Sequence, residues 1–66
     1  MKILLNGESR EINDGISLFA LMEQEGVTGK VMAAAVNMQI VKKEDWATKS
    51  LEDGDKVELL QFVGGG

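Results

Sequence analysis

The distribution of apolar and polar positions changes period twice along the chain. Met1 to Leu5 is a short apolar run ending in Asn6-Gly7, the dipeptide of a two-residue hairpin turn. A partner strand is expected from about Ser9 to Ile12, with Glu8, Arg10 and Glu11 facing water, and Asn13-Asp14-Gly15 closes the unit with another turn. Leu18, Leu21, Met22 and Glu25 then fall at i, i+3, i+4 and i+7, so three of those four positions make one apolar stripe, which Phe19 widens. Ser17 can cap this segment through its hydroxyl, Ile16 and Leu21 are spaced as a hydrophobic staple, and Gly26 can take the left-handed conformation that stops a helix. The spacing predicts one helix from near Ser17 to Glu25.

Val31 to Val36 is apolar and compatible with a buried strand, although its run of alanines carries no period. Asn37-Met38 predicts a turn, and Gln39-Ile40-Val41 a short strand after it. Lys42 to Ser50 is polar around a lone Trp46 and reads as a loop or one helical turn. Glu52-Asp53-Gly54-Asp55 reads as a turn, and Lys56 to Val63 as the last strand. The order is hairpin, helix, further strands, final strand. One helix folded back on such strands covers one sheet face, an α+β arrangement.

Apolar residues occupy both parities of the last strand: Val57, Leu59 and Val63 on one, Leu60 and Phe62 on the other. A strand covered on both faces has this pattern, yet one helix covers only one face. Leu60, Phe62 and Val63 are therefore the candidate partner-docking residues, the first two on condition that Val57 and Leu59 face the helix. The alternative is that Leu60 and Phe62 pack under the loop at 42–50. Trp46 reads as a packing residue, and Met22, Met32 and Met38 as core or gap-filling residues.

Composition narrows the chemistry. A chain of 66 residues is one domain, here residues 1–63 followed by a glycine tail at 64–66. Folding at this size hides only about 60% of the surface that the unfolded chain exposes. Cysteine and histidine are both absent, which removes disulfides, thiolate metal sites and the usual near-neutral general base. A self-sufficient enzyme is disfavoured. The formal charge of −4 argues against nucleic acid, whose binding requires lysine and arginine to displace counterions. Docking on a basic partner surface fits the charge, as does simple solubility. No segment approaches the ~20 apolar residues of a membrane span, and Asn6-Gly7 interrupt the N-terminal run too early for a signal peptide, so cytoplasmic residence is expected.

Two spacings resemble ligand sites and fall short of them. Gly26-Val27-Thr28-Gly29-Lys30 has too few residues between its glycines for a phosphate loop and reads as a helix stop and a turn. Asp53 and Asp55 flank Gly54 but lack the loop and terminal glutamate of a calcium site, so they too read as a turn.

Gly64, Gly65 and Gly66 bury no side chain and lose more backbone freedom on ordering than other residues. A frayed end is one reading. The other is a flexible tail, free of Cβ atoms, that threads a narrow channel and presents its carboxylate to another protein. A carboxylate becomes an acyl donor once transferred to AMP, and a sulfur nucleophile can then displace the AMP. With no cysteine in the chain, that nucleophile must come from elsewhere.

Phe62-Val63-Gly64-Gly65-Gly66 closely resembles the end of the sulfur carrier proteins of thiazole (thiamin) biosynthesis. Ala35-Val36-Asn37-Met38-Gln39-Ile40-Val41 resembles that family's strand–turn–strand, Glu44-Asp45-Trp46-Ala47 its loop, and Leu51-Glu52-Asp53-Gly54-Asp55-Lys56-Val57 the approach to its last strand. Members often carry proline near the position of Lys42, and this chain has none. The resemblance implies a β-grasp (ubiquitin-like) fold, with a mixed sheet of four to five strands packed on one main helix. It also implies that an E1-like adenylating enzyme activates Gly66 with ATP and magnesium, neither of them bound by this chain. A sulfur donor such as a cysteine desulfurase would convert Gly66 to a thiocarboxylate, and thiazole synthase would consume the sulfur. The chain itself would be a protein cosubstrate, with no catalytic residue and no metal. Related carriers serve molybdopterin or amino-acid synthesis. A ubiquitin-like modifier joined to lysine through Gly66, and an interaction domain with an inert tail, are the readings from other classes.

Overall fold

The computed structural model describes residues 1–62. Five strands and one helix follow in chain order: β1 (Lys2–Leu5), β2 (Glu8–Glu11), α1 (Leu18–Glu25), β3 (Val31–Val36), β4 (Gln39–Val41) and β5 (Lys56–Gln61), with a 3-10 turn at Lys43–Asp45. The sheet order is β2-β1-β5-β3-β4. β1 and β5 run parallel, whereas β1–β2, β3–β4 and β3–β5 are antiparallel. This mixed sheet on one helix is the β-grasp arrangement. β5 lies at its centre and ends at Gln61, short of the expected Val63, although the Phe62 N–H still donates to the Lys30 carbonyl at 2.7 Å.

Local chemistry sets the helix limits. Ser17 has extended backbone, and its Oγ accepts from the Ala20 N–H at 3.0 Å, an N-cap. At the other end Gly26 sits at φ 72°, where a side chain would be strained. There the Gly26 N–H donates to the Glu23 carbonyl at 3.1 Å and the Val27 N–H to the Met22 carbonyl at 3.0 Å. These two bonds close the last turn in a Schellman motif.

The apolar stripe of the helix meets one face of the sheet. Leu18, Leu21 and Met22 are fully buried against Ile3 and Leu5 of β1, Ala34 and Val36 of β3, and Val57 and Leu59 of β5. Full burial of a side chain of this size is worth about 1.5–3 kcal/mol, so the cluster dominates the stability of so small a domain. Ile16 packs against its edge, as a staple should. Phe19 sits at the edge of the stripe, with 38% of its surface exposed.

The segment between β4 and β5 covers the start of the helix. Trp46 is buried, and its indole N–H donates to the Val41 carbonyl at 2.9 Å, so the packing role read from the sequence holds. The Trp46 carbonyl accepts from the Phe19 N–H at 2.9 Å and the Lys49 carbonyl from the Leu18 N–H at 2.8 Å. Together with Ser17 Oγ, this segment satisfies the first three helical N–H groups, which otherwise have no partner within the helix.

Three sequence expectations are corrected. Met22 is core, but Met32 and Met38 are exposed. Met32 lies at an irregularity in the β3–β5 register, between Val31 and Ala33, which breaks the inward alternation there. Met38 stands at the tip of the β3–β4 turn. Arg10 does not simply face water: it pairs across the ladder with Ile3, on the helix side of the sheet. Its guanidinium lies 3.0 Å from Glu8 and 3.6 Å from Glu25 at the end of the helix. The Glu8 hydrogen bond, opposed by slight desolvation and helped by Glu25, holds the Arg10 pKa above its ordinary value.

Candidate functional site

Alternation along β5 divides its side chains between two environments. Val57 and Leu59 point into the core, which turns Leu60 and Phe62 outward, with 61% and 65% of their surfaces exposed. The loop at 42–50 packs over the helix start, on the other side of the sheet, and leaves these residues uncovered. Of the two arrangements that the sequence allowed, the structure adopts the exposed one.

The neighbouring strands extend this outer face. Leu60 stands opposite Ala33, and Glu58 opposite Ala35, which in turn stands opposite Ile40. Small alanines between larger side chains leave a shallow hollow of about 430 Å³, floored by β3 and β5 and bordered by Met38 and Ile40. A second hollow, of about 260 Å³, adjoins it towards Leu4 and Lys56. Exposed apolar surface of this kind makes the outer face a candidate contact surface.

The same strand leads towards the chain end. Phe62 is the last described residue, and the sequence continues with Val63, Gly64, Gly65 and Gly66. Those four positions, which include the candidate covalent site Gly66 and the candidate docking residue Val63, lie outside the described residues. Of the candidate docking residues, the structure therefore places Leu60 and Phe62 together on one exposed face, directly before the tail.

Acidic side chains elsewhere have structural tasks. Asp53 Oδ1 accepts from the Lys2 N–H at 2.8 Å. Asp55 is buried, and its Oδ1 and Oδ2 accept from Asn37 Nδ2 at 2.9 Å and the Glu52 N–H at 2.8 Å. Both belong to the turn before β5, as their spacing indicated. Among the described residues no group of three metal-ligating side chains is placed to hold an ion, and no helix is long and apolar enough to cross a membrane.

Sequence reasoning missed Met38, Ile40 and Glu58 as parts of the outer face. The period-2 pattern of β4 could have indicated Ile40, but Glu58 joins the face only through strand pairing and Met38 only through the β3–β4 turn.

The family model of the ThiS family matches residues 3–66. This chain belongs to the ThiS family. It is 36% identical to the sulfur carrier protein ThiS of Escherichia coli over 66 residues, the full length of both chains. It is 38% identical over all its 66 residues to a thiazole synthase of Paramagnetospirillum magneticum, of whose length it spans 20%. A thiazole synthase of Magnetococcus marinus is 32% identical, and again the chain spans 20% of it. Among solved structures, the crystal structure of the thiamine biosynthesis protein ThiS of Geobacter metallireducens superposes with a TM-score of 0.83 at 26% identity, with both chains fully covered. Similarity to that ThiS structure agrees with the β-grasp topology described above.

Proposed function

We propose that this ThiS-family chain is a sulfur carrier for the thiazole of thiamin, with Gly66 as the atom-bearing end and the outer sheet face as its handle. The observation that carries the reading is the family match running through Gly66 of a chain equal in length to the E. coli carrier. The exposed Leu60 and Phe62 lead into that end and support partner docking there.

The chemistry follows from the carboxylate. A Gly66 oxygen attacks the α-phosphate of ATP in an E1-like enzyme, with magnesium on the phosphates, and pyrophosphate leaves. The resulting acyl adenylate has AMP as a leaving group. A persulfide, supplied by a cysteine desulfurase, attacks the acyl carbon through its terminal sulfur and expels AMP. A second thiol then cleaves the sulfur–sulfur bond, leaving a thiocarboxylate on Gly66 and a disulfide on the donor side. Thiazole synthase accepts the sulfur, and the relatives of that name that contain a similar segment support this partner. The chain's own part is to dock, to present a terminus without side chains, and to release it.

Intact-protein mass spectrometry tests the proposal after incubation with the adenylating enzyme, ATP, magnesium and a sulfur source. Replacement of one oxygen by sulfur, located to Gly66 by fragmentation, is the expected result. An unchanged mass with an enzyme shown to be active on its own carrier sinks the reading for that enzyme. Lysine conjugates formed through Gly66, with no thiocarboxylate, would replace it by a protein modifier.

A further inference from the structure

The outer face carries Leu60, Met38 and Ile40 around the carboxylate of Glu58, with Lys56 and Asn6 bordering it. Across the register Glu58 lies beside Ala35, and Ala35 beside Ile40, while Leu60 follows two positions on along the same strand face. Glu58 and Met38 border both hollows. Glu58 is exposed and joins none of the ion pairs found among the described residues; Lys56, two positions back on the same face, does not reach ion-pair distance.

Met38 is anomalous in its backbone. It occupies φ 71° in the β3–β4 turn and is 78% exposed. A non-glycine residue in the left-handed region is strained, and Met lacks the short polar side chain that eases the strain for Asn. Glycine would suit the turn better. The methionine therefore contributes nothing by burial in the free domain and costs backbone strain, yet its flexible apolar side chain flanks both hollows.

We infer that the adenylating enzyme reads this face through Glu58 and Met38: a lysine or arginine of the enzyme meets the carboxylate, and an apolar recess beside it takes the methionine. This rests on the carrier reading above. Docking over Leu60, Ala35 and Ile40 strips water from Glu58, and a carboxylate so desolvated is strongly disfavoured unless a cation replaces the water. An uncharged apolar surface, or an acidic one, is rejected by the same term, which makes Glu58 a specificity element. The occupant follows from reach. Gly66 is four residues beyond Phe62, at most about 14 Å of extended chain, so an enzyme acting on Gly66 must lie close to this face. Adenylation precedes any later transfer, and the chain's charge of −4 favours encounter with a basic surface.

The test compares wild type with Glu58→Gln, Glu58→Lys and Met38→Gly in thermal unfolding, binding to the adenylating enzyme at low and high salt, and thiocarboxylate formation. Glu58→Gln is expected to weaken binding about tenfold and Glu58→Lys about a hundredfold, with the rate at saturating carrier little changed. Met38→Gly is expected to raise the unfolding temperature while weakening binding, a split that a purely structural residue would not give. Normal conversion of Glu58→Lys, or Met38→Gly lowering stability with binding intact, overturns the inference. So does a Glu58→Lys carrier that is adenylated normally and fails only with the synthase. Absence of conversion in wild type overturns instead the carrier reading on which the inference rests.

Discussion

The side-chain amide of Asn6 stands in for a strand residue beside Leu59. The Leu59 N–H donates to Asn6 Oδ1 at 2.8 Å, and Asn6 Nδ2 donates to the Leu59 carbonyl at 3.3 Å. β1 pairs with β5 only at Leu4–Lys56 and Leu5–Val57, so this amide prolongs the ladder past the end of β1, towards the outward-facing Leu60 and Phe62. Asn6 also holds φ 49° in the β1–β2 turn. Asn6→Gly keeps that backbone and removes both bonds, and should cost about 1–2 kcal/mol in denaturant unfolding. Asn6→Ala should cost about 1 kcal/mol more, from its left-handed backbone. A neutral Asn6→Gly would show that water satisfies Leu59 equally well.

A second asparagine clamps the start of β5. Asn37 Oδ1 accepts from the Lys56 N–H at 3.0 Å while its Nδ2 donates to the buried Asp55. Asn37→Ala and Asp55→Ala should each lose about 1–3 kcal/mol. Because they break one network, the double variant should lose less than the sum, by about 0.5 kcal/mol or more. Strict additivity in urea unfolding would separate the two residues.

Trp46 closes the core over the helix start. Trp46→Ala should destabilise by about 3–5 kcal/mol through the cavity it leaves. Trp46→Phe retains most of the ring, orphans the Val41 carbonyl and should cost about 1–2 kcal/mol. Calorimetry of the two variants would separate packing from the hydrogen bond.

Leu60→Asp and Phe62→Asp change exposed positions and should leave stability within about 0.5 kcal/mol of wild type. On the carrier reading both should weaken association with the adenylating enzyme about tenfold or more. Titration calorimetry checks this, and unchanged affinity would remove the outer face from the docking surface.

On the carrier reading, the tail is where the chemistry takes place. Deleting Gly65 and Gly66, or adding residues after Gly66, should leave the unfolding temperature unchanged and abolish thiocarboxylate formation, since an extended chain turns the carboxylate into an internal amide. Sulfur transfer by an uncleaved, extended carrier would end the proposal.

Much of the fold was legible because its signals are local. Ser17, Leu21 and Gly26 mark a helix within a few residues of one another, and Asn6-Gly7 and Asn37-Met38 mark two turns at which the backbone does take positive φ. Met22 is core as expected, but Met32 and Met38 are not, because hydrophobicity says nothing about direction. Met32 is turned out at a register irregularity, and Met38 by the β3–β4 turn, which sets it beside the outer face. Arg10 was misread because its side of the sheet depends on pairing with Ile3.

By itself the sequence determined the order and approximate limits of the elements and the absence of cysteine and histidine from these 66 residues. It left β5 symmetric, with Val57 and Leu59 on one parity and Leu60 and Phe62 on the other, each apolar enough to be core. Tertiary structure broke that symmetry. The parallel pairing with β1, the antiparallel pairing with β3 and the helix lying over Ile3, Ala34 and Val57 assign one parity to the interior. The segment around Trp46 is tied to the helix start and so covers the same side. A side chain's direction along a strand has period two, but which phase is inward depends on partners distant in sequence. That long-range choice is what left Leu60, Phe62, Met38 and Glu58 together on an open face.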